Sequence, residues 1–303
     1  MTHNVDIVSE YSSVLGEGPH WDDIKQRLLF VDITRSAIHR WDYATGKLQE
    51  AIVLEEPTIG AVVPREKGGF IAAAANKFLL VDEGTGKAET ICQPTDNVKS
   101  RFNDGKCDPR GRFWAGTMGL EDIPAHPIPK QGEMYVLDTD LSVSTKMTNL
   151  DISNGLAWTK DATKMFYIDS LTYQVTSYNY DISDGSIANK QKVVDFILAE
   201  DGTPDGQCID CDGNLWVAMF STGIIIKIDT TRGEKVERIK ISDTALKTTS
   251  CCFGGPNFDE LFVTSALNGD YELNKGQKVG DSGRLFRVRG LGVNGSPAVA
   301  FKG

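Results

Sequence analysis

The stretch Asp108-Pro109-Arg110-Gly111-Arg112-Phe113-Trp114-Ala115-Gly116 runs from a polar turn through an aromatic pair into small residues. Variants of this phrase recur. Upstream it reads Asp22-Asp23-Ile24-Lys25-Gln26-Arg27-Leu28-Leu29-Phe30-Val31-Asp32 and Lys67-Gly68-Gly69-Phe70-Ile71-Ala72. Downstream it contains Lys164-Met165-Phe166-Tyr167-Ile168-Asp169, Asp212-Gly213-Asn214-Leu215-Trp216-Val217-Ala218 and Asp259-Glu260-Leu261-Phe262-Val263-Thr264. With Phe30, Ile71, Trp114, Tyr167, Trp216 and Phe262 taken as equivalent, the steps are 41, 43, 53, 49 and 46 residues. A period near 40–50 residues is that of a four-stranded propeller blade. The expectation is an all-β chain: a six-bladed β-propeller with four-stranded antiparallel blades around a central metal-binding channel.

A second turn supports this spacing. Thr45-Gly46-Lys47, Thr85-Gly86-Lys87, Asp184-Gly185-Ser186 and Arg232-Gly233-Glu234 follow strand-like runs such as Ile38-His39-Arg40-Trp41, where glycine supplies the positive φ of a hairpin. Few stretches sustain a 3.6-residue apolar period. Because a blade buries its faces only against its neighbours, residues 1–303 are expected to form one domain. Ring closure would pair Val5-Asp6-Ile7-Val8 with Leu285-Phe286-Arg287-Val288.

The chain of 303 residues carries 42 acidic and 32 basic side chains, a net charge of −10, which disfavours nucleic acid as a partner. A cation or a small neutral molecule fits better. The opening Met1–Val14 lacks the basic start and apolar run of a secretory peptide, and no apolar stretch reaches the length of a membrane span. A cytoplasmic location follows as the expectation, with six reduced cysteines and no membrane contact. As to assembly, a monomer or weak dimer is expected.

Just upstream of the aligned aromatics lie unusual side chains. Glu17-Gly18 and Asn154-Gly155 stand thirteen residues before Phe30 and Tyr167; Asn103-Asp104-Gly105 and Asp205-Gly206 stand eleven before Trp114 and Trp216. In the other two copies this phase falls at Thr58-Ile59-Gly60 and Thr248-Thr249-Ser250. In a ring, equivalent positions converge on one rim, so Glu17, Asn103, Asn154 and Asp205 are expected to meet, each beside a glycine that lets the backbone turn. Any one such dipeptide reads as turn punctuation; four in register point to a site. Two carboxylates placed together repel unless a cation or a proton intervenes. Oxygen ligation by Glu17, Asp205 and Asn154 suits one hard divalent ion, calcium or magnesium, with zinc or manganese as alternatives.

At these residues the chain resembles the regucalcin (senescence marker protein), gluconolactonase and luciferin-regenerating-enzyme family. The likeness rests on Gly16-Glu17-Gly18-Pro19-His20-Trp21, Arg101-Phe102-Asn103-Asp104-Gly105-Lys106, Gly116-Thr117-Met118, Asp151-Ile152-Ser153-Asn154-Gly155-Leu156 and Pro204-Asp205-Gly206. Thr248-Thr249-Ser250-Cys251-Cys252-Phe253-Gly254-Gly255 and Gly290-Leu291-Gly292-Val293 extend it over essentially the whole chain. The resemblance implies a metal-dependent gluconolactonase, a hydrolase opening glucono- or gulono-type aldonolactones to aldonic acids. It implies Glu17, Asn154 and Asp205 as metal ligands, Arg101, Asn103 and Glu121 as substrate contacts, and Asp205 as the catalytic proton acceptor and donor. A calcium-binding regulator and a luciferin-regenerating type of hydrolase are the alternatives. In the stretch from Gly119 to Lys130, Leu120 precedes the Glu121-Asp122 pair where family members often carry consecutive acids, so the substrate contact falls to Glu121 or to Asp122. This proline-rich stretch is expected to cover the channel mouth.

Other features read as structural. Cys208 and Cys211 form an isolated C-x-x-C on a repeat strand, expected to be buried or half-buried thiols, and Cys251-Cys252 should face opposite sides of theirs. His3, His20, His39 and His126 are scattered, and His20 is expected to be packed. Asp104 either lines the channel or holds its own turn.

Overall fold

Each repeated phrase forms the second strand of an antiparallel sheet in the computed structural model, which describes residues 3–123, 126–268 and 280–303. These strands are Arg27–Asp32, Phe70–Ala74, Phe113–Gly119, Lys164–Asp169, Leu215–Phe220 and Glu260–Ala266, and they are buried on nearly every position. The aligned Phe30, Ile71, Trp114, Tyr167, Trp216 and Phe262 are all core residues. Their sequences are apolar on both faces because each sheet is covered on both sides by its neighbours. The outermost strands, such as Ser186–Asp195 and Glu234–Lys240, are largely solvated and correspondingly charged.

The turn that opens the phrase is fixed by its acid. Asp108 Oδ1 accepts from the backbone N–H of Arg110 and Arg112, both at 3.0 Å, and Oδ2 accepts from Trp114 Nε1 at 2.9 Å. Asp210 repeats the pattern, accepting from the N–H of Asp212 and Asn214 and from Trp216 Nε1 at 3.0 Å. The polar turn and the buried tryptophan are therefore one unit: the carboxylate satisfies the indole N–H that burial would otherwise orphan. The hairpin glycines Gly46, Gly86, Gly185 and Gly233 have φ of 66, 71, 68 and 69°.

On the inner side, the second strands pair with Gly16–Asp22, Ile59–Pro64, Ser100–Cys107, Ser153–Trp158, Thr203–Ile209 and Lys247–Gly254. Each inner strand packs against the next, and Lys247–Gly254 packs against Gly16–Asp22, so the series closes on itself. The hydrophobic clusters lie between neighbouring sheets; one joins Phe166 and Ile168 to Leu215 and Val217. A single pairing, Phe220 with Lys247, joins two of the sheets edgewise. At the seam Asn4–Ser9 pairs with Leu285–Arg289, with Val5 opposite Val288 and Ile7 opposite Phe286, as the repeat requires. The architecture is all-β, of the β-propeller type.

All six inner strands break register at the same phase: Glu17/His20, Ile59/Ala61, Phe102/Gly105, Ser153/Leu156, Pro204/Gln207 and Thr248/Ser250. A bulge bends the strand and re-aims the side chains within it. The acids and amides singled out by the repeat sit in these bulges. The role expected of their glycines is corrected in part. Gly18 has φ of 55°, but Gly105, Gly155 and Gly206 do not adopt positive φ. Gly155 and Gly206 are glycine because neighbouring inner strands lie too close for a side chain: a Cβ on Gly206 would stand 2.0 Å from Ser250 Oγ, and one on Gly155 2.9 Å from the Asp205 carbonyl, whereas one on Gly105 would meet the Trp114 carbonyl of its own sheet at 2.9 Å.

Candidate active site

The bulges bring Glu17, Asn103, Asp104, Asn154 and Asp205 into one buried group from four different inner strands. Arg101 Nη1 donates to Asn103 Oδ1 at 2.9 Å and to the Phe102 carbonyl at 3.0 Å. Asn103 Nδ2 donates to the Ser153 carbonyl at 3.0 Å and to Asn154 Oδ1 at 3.3 Å. Asn154 is held from its far side, where Nδ2 donates to Ser170 Oγ at 2.8 Å. The Asp205 carboxyl lies beside both Glu17 and Asn154. Glu17 Oε2 also accepts from the N–H of Gly18 at 2.8 Å.

The electrostatics are those of acids packed against each other. Burial, with Asp205 and then Asp104 as neighbours, holds the Glu17 carboxyl well above the usual range. Burial and the Asp104 charge do the same to Asp205, against the opposing pull of Glu17, Asn154 and Arg101. Asp104 is raised by burial and eased by Lys106 and by the Gly105 N–H, which bonds Oδ1 at 2.7 Å. Asp104 thus both lines the site and holds its own turn. Burial also makes the Arg101 guanidinium easier to deprotonate, an effect countered by Glu121, Glu17 and Asp205.

Glu121 is exposed, and its carboxylate acts on both Arg101 and Lys247. It begins a short ladder in which Glu121 pairs with Pro127 and Ile123 with His126. The Asp122 side chain, the alternative contact, and residues 124 and 125 lie outside the described residues. In the two copies with neither an acid nor an amide at this phase, Gly60 leaves room for the Asn103 backbone, and Thr249 Oγ1 ties its strand to the Gly16 carbonyl across the seam.

Three neighbours escaped the sequence reading: Ser170, which fixes Asn154, Lys247, which faces Glu121, and Lys106, which faces Asp104. Ser170 and Lys247 fall outside the repeated phase that flagged the acids, and Lys106 is an ordinary strand lysine until the ring is closed. His20 is buried as expected, with its imidazole pushed down to about 4 by burial. The C-x-x-C reading is corrected: Cys208 is buried in its strand, but Cys211 lies beyond it in the following turn and is exposed. The sulfur nearest Cys208 is that of Cys251, at 3.6 Å. Cys251 and Cys252 enter different core clusters, so they do face opposite ways. None of the six cysteines is disulfide-bonded.

Among the described residues no group of three or more His, Cys, Asp or Glu is arranged to hold a metal. The donor set at issue here is different, two carboxyls and one amide oxygen. It fits a divalent ion on chemical grounds: two buried carboxyls that resist ionising side by side would give up their protons to a cation bound between them. Glu17, Asp205 and Asn154 offer oxygen only, which suits a hard ion. Among the described residues no helix is long and apolar enough to cross a membrane.

The family profile described as SMP-30/Gluconolactonase/LRE-like region matches residues 15–267. Regucalcin of Xenopus laevis is 41% identical over 299 residues, covering 98% of this chain and 97% of that one. A solved luciferin-regenerating enzyme superposes with a TM-score of 0.90 at 35% identity, covering 99% of this chain and 100% of its own. A calcium-binding regucalcin from Agrobacterium tumefaciens superposes at 0.86 with 24% identity, covering 98% and 96% of the two chains, which supports the fold alone. By these likenesses the chain belongs to the SMP-30/gluconolactonase/LRE-like family.

Proposed function

We propose that this chain is a divalent-metal-dependent lactonase, opening aldonolactones of the glucono- or gulono-lactone type at the mouth of a six-bladed ring. The observation that carries the reading is the meeting of the Glu17 and Asp205 carboxyls with the Asn154 amide, beside the Arg101–Asn103 pair. In this reading Glu17, Asn154 and Asp205 hold the ion. When bound, it would polarise the lactone carbonyl and acidify water. A lactone needs no activated serine or cysteine, because its ester carbonyl is open to water once a base is placed beside it. Asp205 takes the proton from the attacking water and returns it to the ring oxygen as the ester bond breaks. Arg101 and Asn103 donate to the oxygens of the sugar, and Glu121 accepts from a hydroxyl at the rim; such paired hydrogen bonds discriminate polyols from apolar esters. The partner is thus a small neutral molecule. A monomer or weak dimer in the cytoplasm completes the proposal.

Titration of acid release from glucono- and gulono-lactone, with and without added manganese, calcium or zinc, tests it. Activity should require the ion and fall by at least about a thousandfold in Asp205→Ala. Hydrolysis that survives both EDTA and this substitution sinks the reading. The acidity of the site also favours calcium binding without hydrolysis. That reading requires micromolar calcium affinity by calorimetry together with inactivity on a panel of lactones, nitriles and phosphoesters, the same panel that would expose a luciferin-recycling type of chemistry.

A further inference from the structure

Cys208 and Cys251 stand on neighbouring inner strands, Thr203–Ile209 and Lys247–Gly254, with their Sγ atoms 3.6 Å apart. Each strand pairs with its own second strand, Leu215–Phe220 or Glu260–Ala266, so the two thiols meet between sheets. The backbones approach closely at this joint: a Cβ on Gly206 would lie 2.8 Å from Ser250 Cα. Both thiols enter the same apolar cluster with Trp216, Phe253 and Val263, whereas the adjacent Cys252 enters another. The strand therefore aims one cysteine of its pair at Cys208 and turns the other away. Cys251 Sγ donates to the Trp216 carbonyl at 3.2 Å. With its one S–H so engaged, it presents sulfur lone pairs to Cys208. The two differ in access: Cys208 is 8% exposed and Cys251 1%. The fully open thiol, Cys211, lies apart and bonds the Gly295 carbonyl at 3.1 Å.

We propose that Cys208 and Cys251 form an oxidation site, a dithiol that hydrogen peroxide converts into a disulfide stapling two neighbouring inner strands. The chemistry has two steps. The Cys208 sulfur, the more accessible, attacks one peroxide oxygen; the O–O bond breaks, a sulfenic acid forms on Cys208 and the first water leaves. The Cys251 sulfur then attacks the Cys208 sulfur; the S–O bond breaks, and its hydroxyl leaves as a second water with the Cys251 proton. The two thiols together lose two electrons, which the peroxide accepts. Because Cys208 is open only at its edge, a water-sized oxidant suits the site and a bulky disulfide such as oxidised glutathione does not. Sulfur approach from 3.6 Å to the bonded distance of about 2.0 Å needs side-chain rotation, since the strands already lie close. The bond would close a long stretch of chain, as the two cysteines stand 43 residues apart. It would therefore hold two neighbouring sheets together by a link that their apolar contacts do not supply.

The test treats the reduced, folded full chain with hydrogen peroxide near neutral pH. Free thiols are then alkylated in urea, and the products are read by intact mass, non-reducing peptide mapping and melting. The expected result is loss of two hydrogens from one pair of thiols, a linked peptide pair carrying Cys208 and Cys251, and reversal by dithiothreitol. Melting should rise by at least about 5 °C. Cys251→Ala should instead stop at the first step, leaving a Cys208 sulfenic acid that dimedone traps, with no rise in melting. Cys252→Ala should leave the linkage intact. Should Cys251→Ala not fold, Cys208→Ser takes its place, and its Cys251 should stay free after the same treatment. Recovery of Cys208 and Cys251 as alkylated thiols, with oxygen added only to Cys211 or to methionine, overturns the proposal. A link through Cys211 or Cys252, or one that forms only in urea, overturns it as well. A Cys208–Cys251 link that leaves melting unchanged removes the stapling role. None of these readouts involves an ion or a lactone, so the result stands apart from the reading of Glu17, Asn154 and Asp205.

Discussion

His39 shows what burial does to a single group. It stacks on Phe30 at 4.9 Å and lies 4.3 Å from the Tyr11 ring, with Nε2 unpartnered. Burial, with Arg35 and Arg40 nearby, pushes its imidazole down to about 4 against the pull of Asp32. Between the ordinary imidazole range near 6.5 and that value, the unfolded chain takes up a proton here that the folded chain refuses. Stability therefore falls as pH drops through this window, by as much as ~3 kcal/mol from this residue. His39→Gln should flatten that part of the stability–pH curve in urea titrations at pH 7, 5.5 and 4.5. A curve as steep as the native one would show that the proton uptake lies elsewhere, with His20 as the next group to examine, since burial lowers it to a similar value.

The inner strands carry the site because each is bulged at one phase and because glycine lets them crowd together there. Gly206→Ala tests this directly. Its Cβ would meet Ser250 Oγ at 2.0 Å and Ser250 Cα at 2.8 Å, forcing Thr203–Ile209 away from Lys247–Gly254 and moving Asp205 with it. The expected cost is ~2–3 kcal/mol of stability, read by urea unfolding, with loss of ion binding and of lactone hydrolysis. Gly213→Ala is the control. A Cβ there meets nothing within 4 Å, and the φ of 86° is its only difficulty, so the cost should be about 1–2 kcal/mol with the site intact. Equal effects of the two substitutions on ion binding would contradict the role given to strand approach.

Closure of the ring depends on a short segment at the start of the chain. Asn4–Ser9 covers the edge of Leu285–Arg289, with Asp6 paired to Arg289 at 2.7 Å. Without it, that strand presents unpaired N–H and C=O groups to solvent. Deleting residues 1–9 should lower the melting temperature by about 5–10 °C and promote association through the bared edge, seen by scanning calorimetry and size-exclusion chromatography. A truncated chain that melts like the native one, and stays in the same elution volume, would place the closure elsewhere.

The repeat alone determined that the chain is built of successive antiparallel sheets. Alternating apolar runs and turn acids encode local pairing, and Asp108 or Asp210 with its tryptophan six residues on is a local unit. The same periodicity marked Glu17, Asn103, Asn154 and Asp205, since equivalent positions in a repeat share a place in the ring. Glu121 came from family likeness, not from the repeat. The tertiary structure decided why glycine follows these residues, that Asp104 joins the acids, that Ser170 fixes Asn154, and that Lys106 reaches across to Gln207. Those facts belong to contacts between sheets, set by how closely neighbouring strands approach and by which side chains span the axis. Such long-range geometry leaves no periodic mark in the sequence.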